Sequence, residues 1–449
     1  MRLKFLLILF FVPLLHQAQS IYINEMMAQN TLGIADEDND NSDWIEIYNA
    51  GSNDVQLQGM GLSDDSTDLL KWVFPNFILK PNSFVLVFAS GKDRKQGFYL
   101  HSNFLLDANG EKIILSDPGK HQIDAIRFPK LMANVSYGRK ADGNYPYAFF
   151  STSSPRASNN GISYFGSNLT APEFSLPAGF YPDTVTLIID HPDPNAVIRY
   201  TLDGSEPTAN SPIYTTALKL TNRANDANNI SMIPTNPALD LTKPNFDLAK
   251  SDTRGWLPPY GNVFKVNVVK AKAFKSNAIA SRTKTSTFII DSLAQLKYAF
   301  PVLSISTDGA NLFDPDTGIY VYGNVRTDDP AFEGNYSYNS EEWARPVYLE
   351  YFKTDGELGF ERYATAEMNG NGGRHAPQKS FRLSSRSWEG RQLFKYTFFD
   401  NKEMAVFDKI ILRNGGHRPD CFPRDNLGDK ICEGLNMEVP NYSLVVVFL

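Results

Sequence analysis

A chain of 449 residues is long enough for about three domains of ordinary size. Its net charge of -7 excludes a general nucleic-acid binder, which needs a basic face for phosphates. Hydrophobic residues at 42% and charged residues at 21% belong to a globular protein, and 31 Phe and 21 Tyr among recurrent Gly and Pro favour sheets joined by turns.

Residues 1–20 have the layout of a secretory signal peptide. Arg2 and Lys4 precede an apolar run from Phe5 to Leu15, and Ala18 and Ser20 follow near the expected cleavage point. A buried N-terminal strand is the bland alternative. The run is too short to span a bilayer, and no later segment is long and apolar enough to do so. The expectation is a secreted or cell-surface chain with no transmembrane segment after cleavage. Two cysteines, Cys421 and Cys432, are too few to staple three domains and lack partners at zinc spacing. A disulfide between them and two free thiols both remain open.

The first segment, residues 21–160, alternates apolar and polar residues in short runs such as Phe84–Ser90 and Glu111–Asp117, separated by Gly, Asn, Asp and Pro. That pattern predicts an all-β sandwich. In Asp43–Asn49, Ile45 and Ile47 share one face, and Trp44, Glu46 and Tyr48 the other. Ile23–Glu25, Asp43–Asn49, the Gly61–Ser63 turn, the strand ending at Ser90 and Tyr137–Arg139 together resemble a lamin-tail domain. That resemblance implies an immunoglobulin-like sandwich serving as a binding or spacer module in secreted bacterial proteins, with no catalytic residues. Asp36, Asp38 and Asp40, with Asp43 beyond them, suggest calcium, because hard cations want several carboxylate oxygens. The EF-hand pattern then fails at Asn41 and Ile47, which leaves a solvated loop as the alternative.

A Ser-, Asn- and Gly-rich linker at Asn159–Thr170 leads to the second segment, residues 171–291. Tyr181–Asp190, Ala196–Leu202, Val266–Phe274 and Ser286–Ile290 read as strands, and Asp203-Gly204 as a hairpin turn. Ile198–Thr208 (IRYTLDGSEPT), with the later SPIY, VVKAKAF and TSTFII runs, resembles the chitobiase/β-hexosaminidase C-terminal, or fibronectin-III-associated, domain. It implies a second small β-sandwich, an accessory module of secreted enzymes and surface proteins. An insertion near residues 222–262 departs from that family; it is a contact loop or a decorated edge.

The third segment, residues 299–449, offers strands at Val302–Ser306, Gly318–Tyr322, Ala344–Phe352, Lys409–Arg413 and Tyr442–Leu449. It also offers a short helix over Asp425–Leu435, where Leu427, Ile431 and Leu435 recur at helical spacing. Its most informative stretch is Met368–Leu383, a Gly- and Asn-rich loop running into a strand with Lys379 and Arg382, a pattern suited to an anion such as phosphate. A solvated strand face is the alternative. His375 and His417 sit in loops, and no nucleophile elbow or Ser-His-Asp order appears.

Pro301–Asp308, Leu312–Asn324, the Arg345–Phe352 run, Gly370-Asn371 with Pro377, Lys379, Ser380 and Arg382, Leu412–Gly416 and Arg424-Asp425 together resemble the spore-coat-protein-H-like (CotH) kinases. That implies an atypical kinase fold using ATP and magnesium to phosphorylate secreted or coat proteins. Gly370, Asn371, Lys379 and Arg382 would be the nucleotide-phosphate contacts. Gly372 and Gly373 replace the Ser or Thr common after the Gly-Asn pair, and Gln378 replaces a second Lys. The family's acidic magnesium ligands lie downstream of a strand like Ser443–Leu449, so the third segment reads as the N-terminal part of that domain, truncated at its C-terminus. No catalytic residue is assigned, and the 449-residue chain alone is expected to be inactive.

The fold class expected is therefore mainly β, two β-sandwich domains followed by an incomplete α+β kinase-like domain. The function expected is a secreted or cell-surface multidomain protein whose modules bind a surface protein or glycan. Its alternatives are a non-enzymatic adhesion or scaffold protein, or an accessory protein of carbohydrate processing.

Overall fold

The computed structural model describes residues 21–237, 256–293, 298–325, 334–370, 374, 376–387, 390–391, 393–399, 405–414, 424–435, 437 and 439–449. The expectations for the signal peptide, Asn371, His375, His417 and Cys421 lie outside these residues. The chain divides into two compact units, Met1–Gly166 and Ser167–Leu449.

The first unit is a β-sandwich. One sheet runs in the order Asn144–Phe150, Ser136–Ala141, Ile21–Met27, Asp43–Asn49, Phe84–Ala89 and Leu100–His101. The other runs Gln122–Arg127, Lys112–Ser116, Gly61–Ser63 and Trp72–Val73. Ile23, Ile45, Ile47, Val85, Val87, Leu62, Ile113 and Leu115 are all buried. Asp43–Asn49 is buried on both faces: Trp44 packs with Met27, Leu86 and Phe88 on the face opposite Ile45 and Ile47. A strand covered on both sides reads as a continuous apolar run, so the polar Glu46 within it stands out.

The second unit holds the second and third segments together. Its first sheet orders Gly179–Tyr181, Lys284–Ile290, Asn267–Phe274 and Val197–Thr201. Its larger, six-stranded sheet orders Lys409–Leu412, Phe381–Ser384, Leu358–Met368, Arg345–Phe352, Val302–Ser306 and Val446–Phe448. Strand alternation explains how they stack. Phe288 and Ile290 enter the core of the smaller sandwich, while Ile289 joins Ala178, Val302 and Phe352 in a core shared with the larger sheet. Leu303, Ile305, Val347 and Leu349 face the opposite way, into the third segment's own core.

Several expected elements differ. Gly318–Tyr322 is not a strand: its Gly318, Ile319 and Tyr320 amides donate back to Asp314, Asn311 and Leu312, within the preceding turn and short helix. Tyr181–Asp190 breaks at residues 182–184, so that Tyr181 belongs to Gly179–Tyr181, and again at Ile188, whose amide donates to the Ser175 hydroxyl at 2.9 Å, leaving strands at Val185–Leu187 and Ile189–Asp190. The chain does turn back after Asp203-Gly204, but over a longer loop and by an isolated antiparallel bridge, Arg199 to Ile213, rather than a two-residue hairpin between full strands. Leu218–Leu220 pairs instead with Val185–Leu187, and Val197–Thr201 with Asn267–Phe274. The final strand is only Val446–Phe448, half-exposed, and pairs in parallel with Val302–Ser306. The helix forms over Arg424–Gly434, yet Ile431 and Leu435 on its apolar stripe are exposed. Cys432 is a free thiol.

Candidate functional site

The YTLDGSEPT stretch is structural in every residue the contacts reach. The Asp203 carboxylate accepts from the Ser205 amide at 3.0 Å and hydroxyl at 2.6 Å. Gly204 has φ +85°, and a Cβ there would lie 2.5 Å from the Thr307 carbonyl oxygen of the larger sheet. Glu206 accepts from the buried Lys270 ammonium at 2.8 Å and from the Thr283 hydroxyl at 2.6 Å. The motif thus fixes the turn and its docking.

In the first unit, Asp36, Asp38 and Asp40 do converge, with one oxygen of each within 4.8 Å of the others. Lys92 Nζ sits among them, at 2.6, 2.8 and 2.9 Å. An ammonium therefore stands where a divalent cation would. Burial alone would push Asp36 up, but the Lys92 ammonium and the Asp38 and Asp40 amides outweigh it and hold the carboxyl below its ordinary range. Arg94 reaches Asp38 at 2.6 Å and, with it, Lys92 holds that carboxyl at about 2. His101, wholly buried, lies 2.9 Å from the Ser90 hydroxyl through Nδ1 and 3.1 Å from Glu37 through Nε2.

Sequence reasoning missed a buried carboxylate pair. Glu25 and Glu46 are direct cross-strand partners and fully buried. Glu25 accepts from the Ser136 hydroxyl and from the amide and hydroxyl of Ser154; Glu46 accepts from the Arg156 amide and Asn24. Burial raises both carboxyls, and Glu25 raises Glu46 further. The usable signal was a Glu at the same position in each of two apolar strands, Ile23–Met27 and Trp44–Tyr48.

In the second unit the Gly370–Arg382 region is built as follows. Gly370 is exposed at φ +89°, just past the end of Leu358–Met368. Lys379 precedes Phe381–Ser384 and is 5% exposed, so its surroundings rather than solvent set its charge. Its Nζ donates to Asn236 Oδ1 at 2.5 Å and to the carbonyls of Ala376 at 3.0 Å and Arg374 at 3.2 Å. The Tyr336 ring lies 3.7 Å away. Burial pushes this amine well below the ordinary lysine range. Three oxygens and an aromatic face pull the other way, and that geometry is the one suited to a held ammonium.

Arg382 lies on the other side of the sheet. Phe381 and Leu383 point into the core that contains Tyr320 and Tyr336, so Arg382 between them points away. Its guanidinium meets Glu367 and Asn369, each at 3.3 Å. Lys379 and Arg382 are thus near in sequence and not convergent. Asn236, which meets Lys379, belongs to the long insertion and carried no signal in the sequence.

A series of β-sandwich modules, whose most unusual polar groups are spent on one another, is what the fold and these sites define. Residues 16–130 match the family model of the Lamin Tail Domain, and residues 176–240 that of the Chitobiase/beta-hexosaminidase C-terminal domain. The two matches point to binding modules. No curated protein matches the chain. Among the described residues, no helix is long and apolar enough to cross a membrane.

Proposed function

We propose that this chain is an extracytoplasmic binding protein whose two β-sandwich modules engage a cell-surface glycan or protein. The observation that supports this reading is the serial match to a lamin-tail module and a chitobiase C-terminal module. The test is co-sedimentation of the purified chain with insoluble chitin, cellulose and peptidoglycan. Saturable retention by one polymer supports the glycan arm. No retention, with capture by a surface-protein fraction, leaves the protein arm, and failure of both removes the reading.

A second reading keeps the third segment as the first part of a CotH-like kinase, with Lys379 as the nucleotide-phosphate contact and ATP with magnesium as cofactors. A lysine held by three oxygens at the start of an inner strand favours it, because phosphoryl transfer depends mainly on positioned charge. Gly370 and Asn371 would be the further phosphate contacts, while Arg382, turned to the far face and paired with Glu367, drops out of the site. ATP with magnesium should raise the melting temperature of the wild-type chain and not that of Lys379→Ala. Equal curves for both, with and without nucleotide, remove this reading.

A further inference from the structure

We infer that the Thr235–Asn236 turn of the long insertion is a strap across Lys379, and that it must lift before this amine can meet an external anion. An ammonium has three protons to give. Two go to the carbonyls of Arg374 and Ala376, in the loop that leads to Lys379 itself. The third goes to Asn236 Oδ1 at 2.5 Å. The Tyr336 ring closes the remaining side at 3.7 Å. The two carbonyls belong to the segment that carries Lys379, whereas Asn236 comes from a distant one, so the Asn236 oxygen is the acceptor that can leave without moving Lys379's own backbone. A phosphate or carboxylate oxygen would have to take its place.

The strap is seated as a unit. Thr235 donates its hydroxyl to the Pro377 carbonyl at 3.0 Å, and Thr235 and Asn236 are 9% and 2% exposed, which shields Lys379 from solvent. Behind the turn, the Trp256 amide donates to the Pro237 carbonyl at 2.9 Å, joining the outgoing and returning arms. Asn228 ties to Gly261 at 2.8 Å and Lys265 to Asn228 at 3.0 Å, so the base is stapled to itself. Thr235 and Asn236, within the stretch that matches the chitobiase-domain model, thereby cover a lysine of the next segment. The inference rests on the phosphate reading of Lys379 only for the identity of the anion.

The test is acylation of the intact chain by acetic anhydride, with the rate at Lys379 read by peptide mass spectrometry. Asn236→Ala should raise that rate about tenfold, because it removes a hydrogen bond to a charged group. Asn236→Asp should lower it or leave it unchanged, since a carboxylate in that place holds the ammonium more tightly. Unfolding would raise both rates, so the opposite responses separate release of the strap from loss of structure. Equal rates in all three chains overturn the inference, as does a faster rate in the aspartate variant. Inorganic phosphate is then added to Asn236→Ala. If it slows the acylation, the strap and the phosphate reading both stand. If the alanine variant labels faster and phosphate gives no protection, the strap stands and the phosphate reading falls.

Discussion

Lys92 shows how one residue decides what an acidic loop can hold. Its ammonium satisfies three aspartates, of which Asp36 has a fully buried side chain. Lys92→Ala leaves that buried charge uncompensated and should cost roughly 2–3 kcal/mol, read as a lowered urea midpoint. Millimolar calcium should restore part of the loss in the variant, while neither calcium nor EDTA moves the wild-type midpoint. Glu46 gives a second residue-scale expectation. Both buried carboxyls are raised, so the folded state keeps protons that the unfolded chain releases, and stability falls as pH rises above the ordinary carboxylate range. Glu46→Gln removes the repulsion with Glu25. Its melting temperature should exceed wild type by more at pH 8 than at pH 5, and an equal gain at both would count against repulsion between the two carboxylates.

At the scale of elements, the second and third segments are joined by a polar contact as well as an apolar one. Glu350 on Arg345–Phe352 accepts from the Thr287 amide at 3.1 Å and hydroxyl at 2.5 Å, and Thr287 also meets Ser304 at 2.9 Å. All three side chains are buried, and burial raises Glu350 to about 7. The unfolded carboxyl titrates near 4.5, so this group costs stability as pH climbs from about 4.5 to 7, by at most roughly 3–4 kcal/mol. Glu350→Gln imitates the protonated acid and should flatten that part of the stability profile; an unchanged slope would place the titration elsewhere. The strands that build this interface were legible. Val302–Ser306, Arg345–Phe352 and Ser286–Ile290 stand out as runs of strand-forming residues. What each face meets was not, because alternation says that Glu350 opposes Leu349 without saying that Thr287 lies beyond it. Gly318–Tyr322 misled for a related reason: its apolar side chains are buried, but its amides turn back to the preceding residues. Lys379 and Arg382 looked like one site because sequence gives spacing, whereas the strand sends them to opposite faces.

For the whole molecule, the division at Gly166 predicts that residues 21–166 unfold as one cooperative transition when expressed alone. Residues 171–291 should not behave so well. Cut from the larger sheet, they expose Ala178 and Ile289 together with the half-buried Phe180 and Val266, and should aggregate at concentrations where 167–449 stays monodisperse by light scattering. Monodisperse 171–291 would argue that the shared core is dispensable. The parallel contact between Val302–Ser306 and Val446–Phe448 has a further consequence, one of timing. It joins residues from the two ends of the third segment, the kind of long loop closure whose entropy must be met before any contact rewards it. During synthesis the Val302 strand therefore waits with an unpaired edge until residue 446 has left the ribosome, so this sheet is completed after the first sandwich has already folded.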